Sequence, residues 1–283
     1  TGAAMHTPVA VTDEAIKNVE QSTIDCLVPV SGGSTIGLSK AIALRTGLPQ
    51  IAIPTTYAGS EMTPILGQTE DGVKTTQRTI KVLPEVVIYD VDLTLTLPTA
   101  LSVTSGINAM AHAIEALYAE NRNPVISMLA EEGIRALYRT LEVISDKPSD
   151  VAARREALFG AWLCGTSLGS VGMALHHKLC HTLGGTFDLP HAETHTVLLP
   201  YVTAFNAVAV PELDALGREL NGTSLAVSIA ELVDRTGAPK SLAAIGMPKD
   251  GLDRAAELAV SNPYFNPRKF SQGEIRELLE NAF

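Results

Sequence analysis

The feature that most constrains this 283-residue chain is a change of period near Pro98. Ahead of it lie short apolar runs, "CLVPV" (26–30), "LPQIAIPTT" (48–56) and "EVVIYD" (85–90). Continuous apolar runs of this length read as strands buried on both faces, the habit of a parallel sheet flanked by helices. "SGGSTIGLSKAIALRTG" follows the first run as a Gly-rich turn that opens a helix, and Gly47 ends that helix. "GQTEDGVKTTQRT" (67–79) is polar and Gly-punctuated, a hairpin or long loop. Past Pro98, a residue suited to opening a helix, the blocks "TALSVTSGINAMAHAIEALYAE", "VISMLAEEGIRALYRTLEVI" and "VAARREALFGAWLCGTSLGSVGMALHHKLCHTL" read as helices, as does the tail. The pattern predicts a parallel α/β domain over residues 1–97 and an all-helical domain over 98–283.

Charge and composition narrow the partners. A formal net charge of −10 argues against nucleic acid, since phosphate binding needs a basic face. Cys26, Cys164 and Cys180 show no paired spacing, which suits a reducing compartment better than a disulfide framework. Apolar stretches are interrupted by Gly, Ser or charge well short of a bilayer's thickness, so no membrane partner is expected. "TGAAMHTPVAVTDEAIKNVE" lacks the basic start and apolar block of a secretory leader, and the expected location is the cytoplasm.

Two turns have the makings of a nucleotide crevice. Gly32, Gly33 and Ser34 open a helix directly after a strand, where free N–H groups and the helix dipole favour phosphate. The spacing is not G-x-G-x-x-G, so the usual dinucleotide fingerprint is missing. A second hydroxyl- and glycine-rich turn, "PTTYAGSEMTP" (54–64), carries Thr55, Thr56 and Ser60 after the next strand. Lys74 in the polar segment is a candidate contact on the adenine side of a dinucleotide.

Histidine supplies the remaining chemistry, for five of the seven lie between residues 176 and 195. In "SGINAMAHAIEALY" the apolar positions Ile107, Met110, Ala111, Ile114 and Tyr118 share one face. Asn108, His112 and Glu115 fall on a separate seam, with Glu115 expected to face solvent. His177 and His181 form a second pair at i, i+4, and His176 points elsewhere. Gly184 and Gly185 are expected to stop the helix, with "TFDLPH" returning His191 in a loop. His112, His177 and His191 with one carboxylate would hold zinc or iron(II). The position one turn before His112, where that carboxylate belongs, is Asn108, a weak neutral ligand.

These blocks carry a resemblance. "KAIALRTGLPQIAIPTTYAGSEMTPILGQTEDGVKTTQR", "SGINAMAHAIEALYAENRNP", "ALFGAWLCG" and "MALHHKLCHTLGGTFDLPHAETHTVLLP" resemble the iron-containing alcohol dehydrogenase superfamily, and within it the maleylacetate reductase branch. The resemblance implies an α/β dinucleotide domain, a helical domain and an active site in the cleft between them. It implies NADH or NADPH as cofactor, a small dicarboxylate substrate and a homodimer. Metal-using members place an Asp and three His where this chain has Asn108, His112, His177 and His191, and the branch is expected to dispense with the metal. Ser31 stands where the family usually has a glycine, and the leading strand–helix units of the first domain are expected to be absent.

The implied reaction is reduction of the C=C bond of maleylacetate to 3-oxoadipate, in the breakdown of aromatic compounds. His181 and His191 are the expected oxyanion stabiliser and proton donor, with His112 and His177 orienting them or helping to bind a carboxylate. Tyr57, Asn108 and Lys178 are candidate substrate contacts, and His176 and His195 are expected outside the chemistry. The alternatives are a metal-dependent alcohol dehydrogenase on the same scaffold and a catalytically silent fragment.

Overall fold

The computed structural model describes residues 2–4, 7–70, 73–262 and 264–283, without the side chains of Val73 and Lys74. Its first part holds α1 (Val9–Glu20), β1 (Val30–Ser31), α2 (Gly33–Thr46), β2 (Ile51–Pro54), β3 (Ile65–Glu70), β4 (Val73–Arg78) and β5 (Val86–Val87). The second part is helical: α3 (Thr99–Ala116), α4 (Pro124–Asp146), α5 (Val151–Ser170), α6 (Leu175–Phe187) and α7 (His191–Ala207). The tail adds α8 (Glu212–Asn221), α9 (Leu225–Arg235), α10 (Leu252–Val260) and α11 (Gln272–Asn281).

The three apolar runs form one parallel sheet in the order β1-β2-β5, and the polar segment is the antiparallel hairpin β3-β4. The strands are shorter than their apolar runs, although ladder bonds extend outward from them. Ile51 N–H donates to Leu27 and Ile53 N–H to Pro29, both at 2.9 Å. Pro29 has no N–H of its own to return, which limits the pairing of that run. Gly47 closes α2 in the left-handed region at φ 74°, as its sequence position predicts.

The centre of the helical part is α3, buried without interruption from Ser102 to Ala116. A helix buried all round cannot be amphipathic, and its Ser, Gly and Ala residues let neighbours approach closely. A fully buried arginine ties the two parts together. Arg154 Nη1 donates to Ser102 Oγ (3.0 Å) and Tyr57 Oη (3.3 Å), and Nη2 to the Leu97 carbonyl (3.2 Å). A second tie is a backbone crossing, where a Cβ on Gly59 (φ 79°) would lie 2.9 Å from Gly165 Cα.

The helical block 151–187 bends by 93° between α5 and α6. Gly184 and Gly185 lie inside α6, whose stop is Asp188, itself left-handed at φ 54°. Asp tolerates that conformation through its short polar side chain, so the glycines were not needed there. His191 is accordingly the first residue of α7 and not a loop residue. No single helix among the described residues is long and apolar enough to cross a membrane.

Candidate active site

Three helices bring the polar seam together: α3 carries Asn108, His112 and Glu115, α6 carries His176, His177, Cys180 and His181, and α7 carries His191 and His195. A hydrogen-bonded line runs through its centre. His112 Nε2 lies 3.2 Å from the Ala58 carbonyl, His112 Nδ1 2.8 Å from His177 Nε2, and His177 Nδ1 2.6 Å from Glu115 Oε2. Glu115 also accepts the backbone N–H groups of Ala174 (3.0 Å), His176 (2.7 Å) and His177 (3.4 Å). Its carboxylate thereby caps the start of α6, using N–H groups that have no partner within the helix.

Burial alone would raise the pKa of Glu115. The hydrogen bond and charge of His177, with the nearby backbone N–H groups, outweigh it and bring the carboxyl down to about 2. Glu115 is 0% exposed, which corrects its expected place on a solvated flank. The seam faces into the protein because α6 and α7 cover it, and i, i+4 spacing cannot report what lies opposite a helix.

The line also constrains the protons. The Ala58 carbonyl can only accept, so the 3.2 Å bond requires the His112 proton on Nε2, with Nδ1 accepting from His177. The Glu115 carboxylate likewise accepts from His177 Nδ1. All three bonds are satisfied together when His177 carries a proton on each nitrogen.

The other histidines surround this line. His195 is fully buried, with ring centroids 4.5 Å from His191, 4.9 Å from His177 and 4.8 Å from His176. His176 and His195 therefore lie within the cluster, against the rings of His177 and His191. Burial, followed by neighbouring imidazoles, holds His112 and His195 well below the usual histidine range. Burial also brings His176 down to about 3. His181 and His191 are exposed, their rings stacked with centroids 6.3 Å apart at the α6–α7 corner. Asn108 is 3% exposed, and its Oδ1 has no hydrogen-bond partner among the described residues.

Two expected substrate contacts fare differently. Tyr57 is 0% exposed with its hydroxyl held by Arg154, so its side chain belongs to the core and not to a substrate surface. Lys178 is half-buried, its Nζ 5.6 Å from the Tyr264 ring centroid. The Lys74 side chain lies outside the described residues.

The two glycine- and hydroxyl-rich turns are adjacent. A Cβ on Gly32 would lie 2.8 Å from Thr56 Cγ2, whereas one on Gly33 would meet nothing within 4 Å. Gly32 caps α2 without any side-chain bond to its first N–H groups, so those donors remain available. Beneath the turns lies Lys40, which belongs to no recognised motif. Lys40 is 0% exposed, and its Nζ donates to the carbonyls of Ser60 (2.5 Å), Thr63 (2.7 Å) and Ile65 (3.1 Å). Burial, partly opposed by the Glu61 charge, lowers its pKa to about 7. Its signal was present in the sequence, for Lys40 sits one turn from Ile36 and Ala43 on the apolar stripe of α2. A surface hollow of about 310 Å³ beside Tyr89, Arg155, Phe159 and Trp162 contains none of the predicted site residues.

Comparison with known proteins matches both parts of this architecture. A family model described as iron-containing alcohol dehydrogenase matches residues 1–91, and one described as the C-terminal part of the Fe-containing alcohol dehydrogenase family matches residues 102–283. The chain belongs to the iron-containing alcohol dehydrogenase family. A maleylacetate reductase of Rhizobium sp. strain MTP-10005 is 59% identical over 281 residues, 99% of this chain and 80% of that protein. The crystal structure of maleylacetate reductase from Agrobacterium tumefaciens aligns with a TM-score of 0.96 at 59% identity, again over 99% and 80%. A 1,3-propanediol oxidoreductase aligns with a TM-score of 0.93 at 28% identity, over 100% of this chain and 83% of that one. The chain is thus an NAD(P)-dependent oxidoreductase of the iron-containing alcohol dehydrogenase family, similar to its maleylacetate reductases.

Proposed function

We propose that the chain uses NADH or NADPH to reduce the C=C bond of maleylacetate to 3-oxoadipate, with histidines and no resident metal carrying the chemistry. Similarity to maleylacetate reductases at 49–59% identity supports the substrate. The division near residue 97 is part of the proposal, with the cofactor turns ahead of it and the histidines behind. Gly32, Gly33 and Ser34, with Thr55, Thr56 and Ser60, fit a dinucleotide: the uncapped start of α2 suits pyrophosphate, and Gly33 leaves room for it. Bound there, the cofactor supplies a hydride.

The observation that carries the metal-free reading is the line from Ala58 to Glu115. A divalent ion at the family's position would draw on Asn108, His112, His177 and His191. Asn108 offers a neutral amide in place of an acid. His177 Nε2 and His112 Nδ1 are bonded to each other, and the nearby anion, Glu115, already holds three N–H groups and His177. These residues do not fit a resident divalent ion.

Hydride addition to the carbon β to the ketone leaves an enolate, and a proton must then reach the α carbon. The exposed pair His181 and His191 is suited to that work, one hydrogen-bonding the enolate oxygen and the other donating the proton. Glu115 acts through His177 as a positioning residue, fixing its ring and the proton on Nδ1. Asn108, whose Oδ1 is unpartnered among the described residues, can orient the substrate through its amide.

The test follows NADH and NADPH oxidation with maleylacetate, with and without a chelator. Turnover indifferent to the chelator is the expected result. Its abolition by chelation, with recovery on adding iron(II) or zinc, would return the chain to the metal-dependent reading.

A further inference from the structure

His176 and Cys180 lie one turn apart on α6, and His195 reaches them from α7. All three are at most 1% exposed, and their donor atoms lie within 4.8 Å of one another. We propose that His176, Cys180 and His195 form a binding site for a thiophilic transition-metal ion of the zinc type, separate from the family's metal position. The site shares no residue with Asn108, His112, His177 and His191, and its binding does not rest on the maleylacetate reading.

The edges of the cluster support that assignment. An ion about 2.0 Å from nitrogen and 2.3 Å from sulfur, in tetrahedral geometry, sets N···S near ~3.5 Å and N···N near ~3.3 Å. Cys180 Sγ lies 3.6 Å from His176 Nε2, close to the first value. His176 Nε2 lies 2.9 Å from His195 Nδ1, a few tenths of an ångström inside the second value, and the edge from Cys180 to His195 is no longer than 4.8 Å.

Proton placement separates this cluster from its neighbour. Between Ala58 and Glu115, fixed acceptors decide which nitrogens of His112 and His177 carry protons. Here the outer nitrogens, His176 Nδ1 and His195 Nε2, have no partner among the described residues. With each imidazole carrying its proton on that outer nitrogen, both inner nitrogens present lone pairs to one ion.

Charge and ligand type select the occupant. The thiol loses its proton on coordination, giving the ion one negative ligand. The Glu115 carboxylate acts electrostatically on both His176 and Cys180, adding a second negative charge in reach. Two imidazoles, one thiolate and no oxygen ligand exclude magnesium, calcium and manganese, and favour zinc or copper(I).

Cobalt(II) titrated into the intact protein is the probe. Among the family's metal position and this cluster, only the cluster contains sulfur, so a thiolate-to-cobalt charge-transfer absorption reports on it. The expected result is saturable binding with that band, displacement by zinc, and loss of the band in Cys180→Ser. Affinity should fall by roughly 100-fold or more in Cys180→Ser, given that even outer partners of a metal ligand are worth 10–100-fold. X-ray absorption of the zinc-loaded unmutated protein provides a reading independent of any variant's folding, with one sulfur expected beside the metal. No binding, binding without sulfur, or a band that survives Cys180→Ser would each overturn the site.

Discussion

His177 Nδ1 and Glu115 Oε2 lie 2.6 Å apart in the interior, joining the first turn of α6 to the central helix α3. The same carboxylate caps α6, so one group sets both the helix and the ring it carries. Glu115→Gln keeps an acceptor but removes the charge and places N–H groups against other donors. Its kcat is expected to fall by about 10-fold or more, in line with the loss of an outer partner at a functional histidine, while the KM for NADH moves little. Glu115→Asp should recover part of kcat, since charge is restored at shorter reach. Steady-state kinetics with each substrate varied decides it: equal loss in the NADH KM and kcat, or no recovery in Asp, would reduce Glu115 to a structural cap.

The depressed pKa of Glu115 also predicts how the protein meets acid. Its ordinary value is 4.5 and its folded value about 2, so the folded state favours the ionised form. That contribution is complete above pH 5 and is lost as pH falls toward 2, amounting to about 3 kcal/mol. Denaturant melts from pH 7 to pH 3 should show stability declining below pH 5. The decline should be shallower in Glu115→Gln, and a variant whose slope matches the parent would remove Glu115 as its source.

Much of this was legible in the sequence, for physical reasons that differ by residue. Apolar runs reveal strands because a parallel sheet is buried on both faces, and Gly47 reveals a helix end because its left-handed backbone favours glycine. His112, His177 and His181 were legible as pairs because spacing of four keeps residues on one helical face. What spacing cannot show is the neighbour opposite. Glu115 reads as a solvated flank because the α6 groups that cover it lie 59 or more residues away, and the contact of His195 with His176 spans 19 residues. Tyr57 lay in a polar turn, yet it turns inward to Arg154, a contact separated by 97 residues.

Arg154 is predicted to be a stability determinant with no part in the chemistry. Arg154→Met keeps much of the volume but leaves Ser102 Oγ, Tyr57 Oη and the carbonyls of Leu97 and Pro148 without this donor. Stranding several buried polar groups costs about 3 kcal/mol or more. A chain of this size should then melt several degrees lower, by roughly 2–4 °C for each kcal/mol. Thermal unfolding measures it, and a melting point within one degree of the parent would refute the role.

Asn108→Asp tests whether the family's metal position lacks only its acid. A carboxylate there would join His112, His177 and His191 and supply the missing negative ligand. After incubation with zinc and dialysis, the variant is expected to retain metal that Cys180→Ser/Asn108→Asp also retains, which separates this position from the thiol cluster. Metal content no greater than in Cys180→Ser alone would show that the imidazole line, and not the amide, keeps the ion out.

His181→Ala addresses the exposed pair directly. His181 stands in the last turns of α6 with its ring stacked near His191, and neither belongs to the buried line. Removing an exposed imidazole leaves the core intact, so the melting temperature should hold while turnover falls by about 100-fold, the usual worth of a positioned acid or base. NADH affinity, read by fluorescence titration without substrate, should change by less than about 3-fold, because the proposed cofactor turns lie at Gly32–Ser34 and Thr55–Ser60. A proton donor works only while protonated, so if His181 donates the proton, the alkaline limb of the kcat profile also moves in His181→Ala and stays in His191→Ala. Turnover unchanged in His181→Ala would take this residue out of the mechanism and leave His191 to act alone.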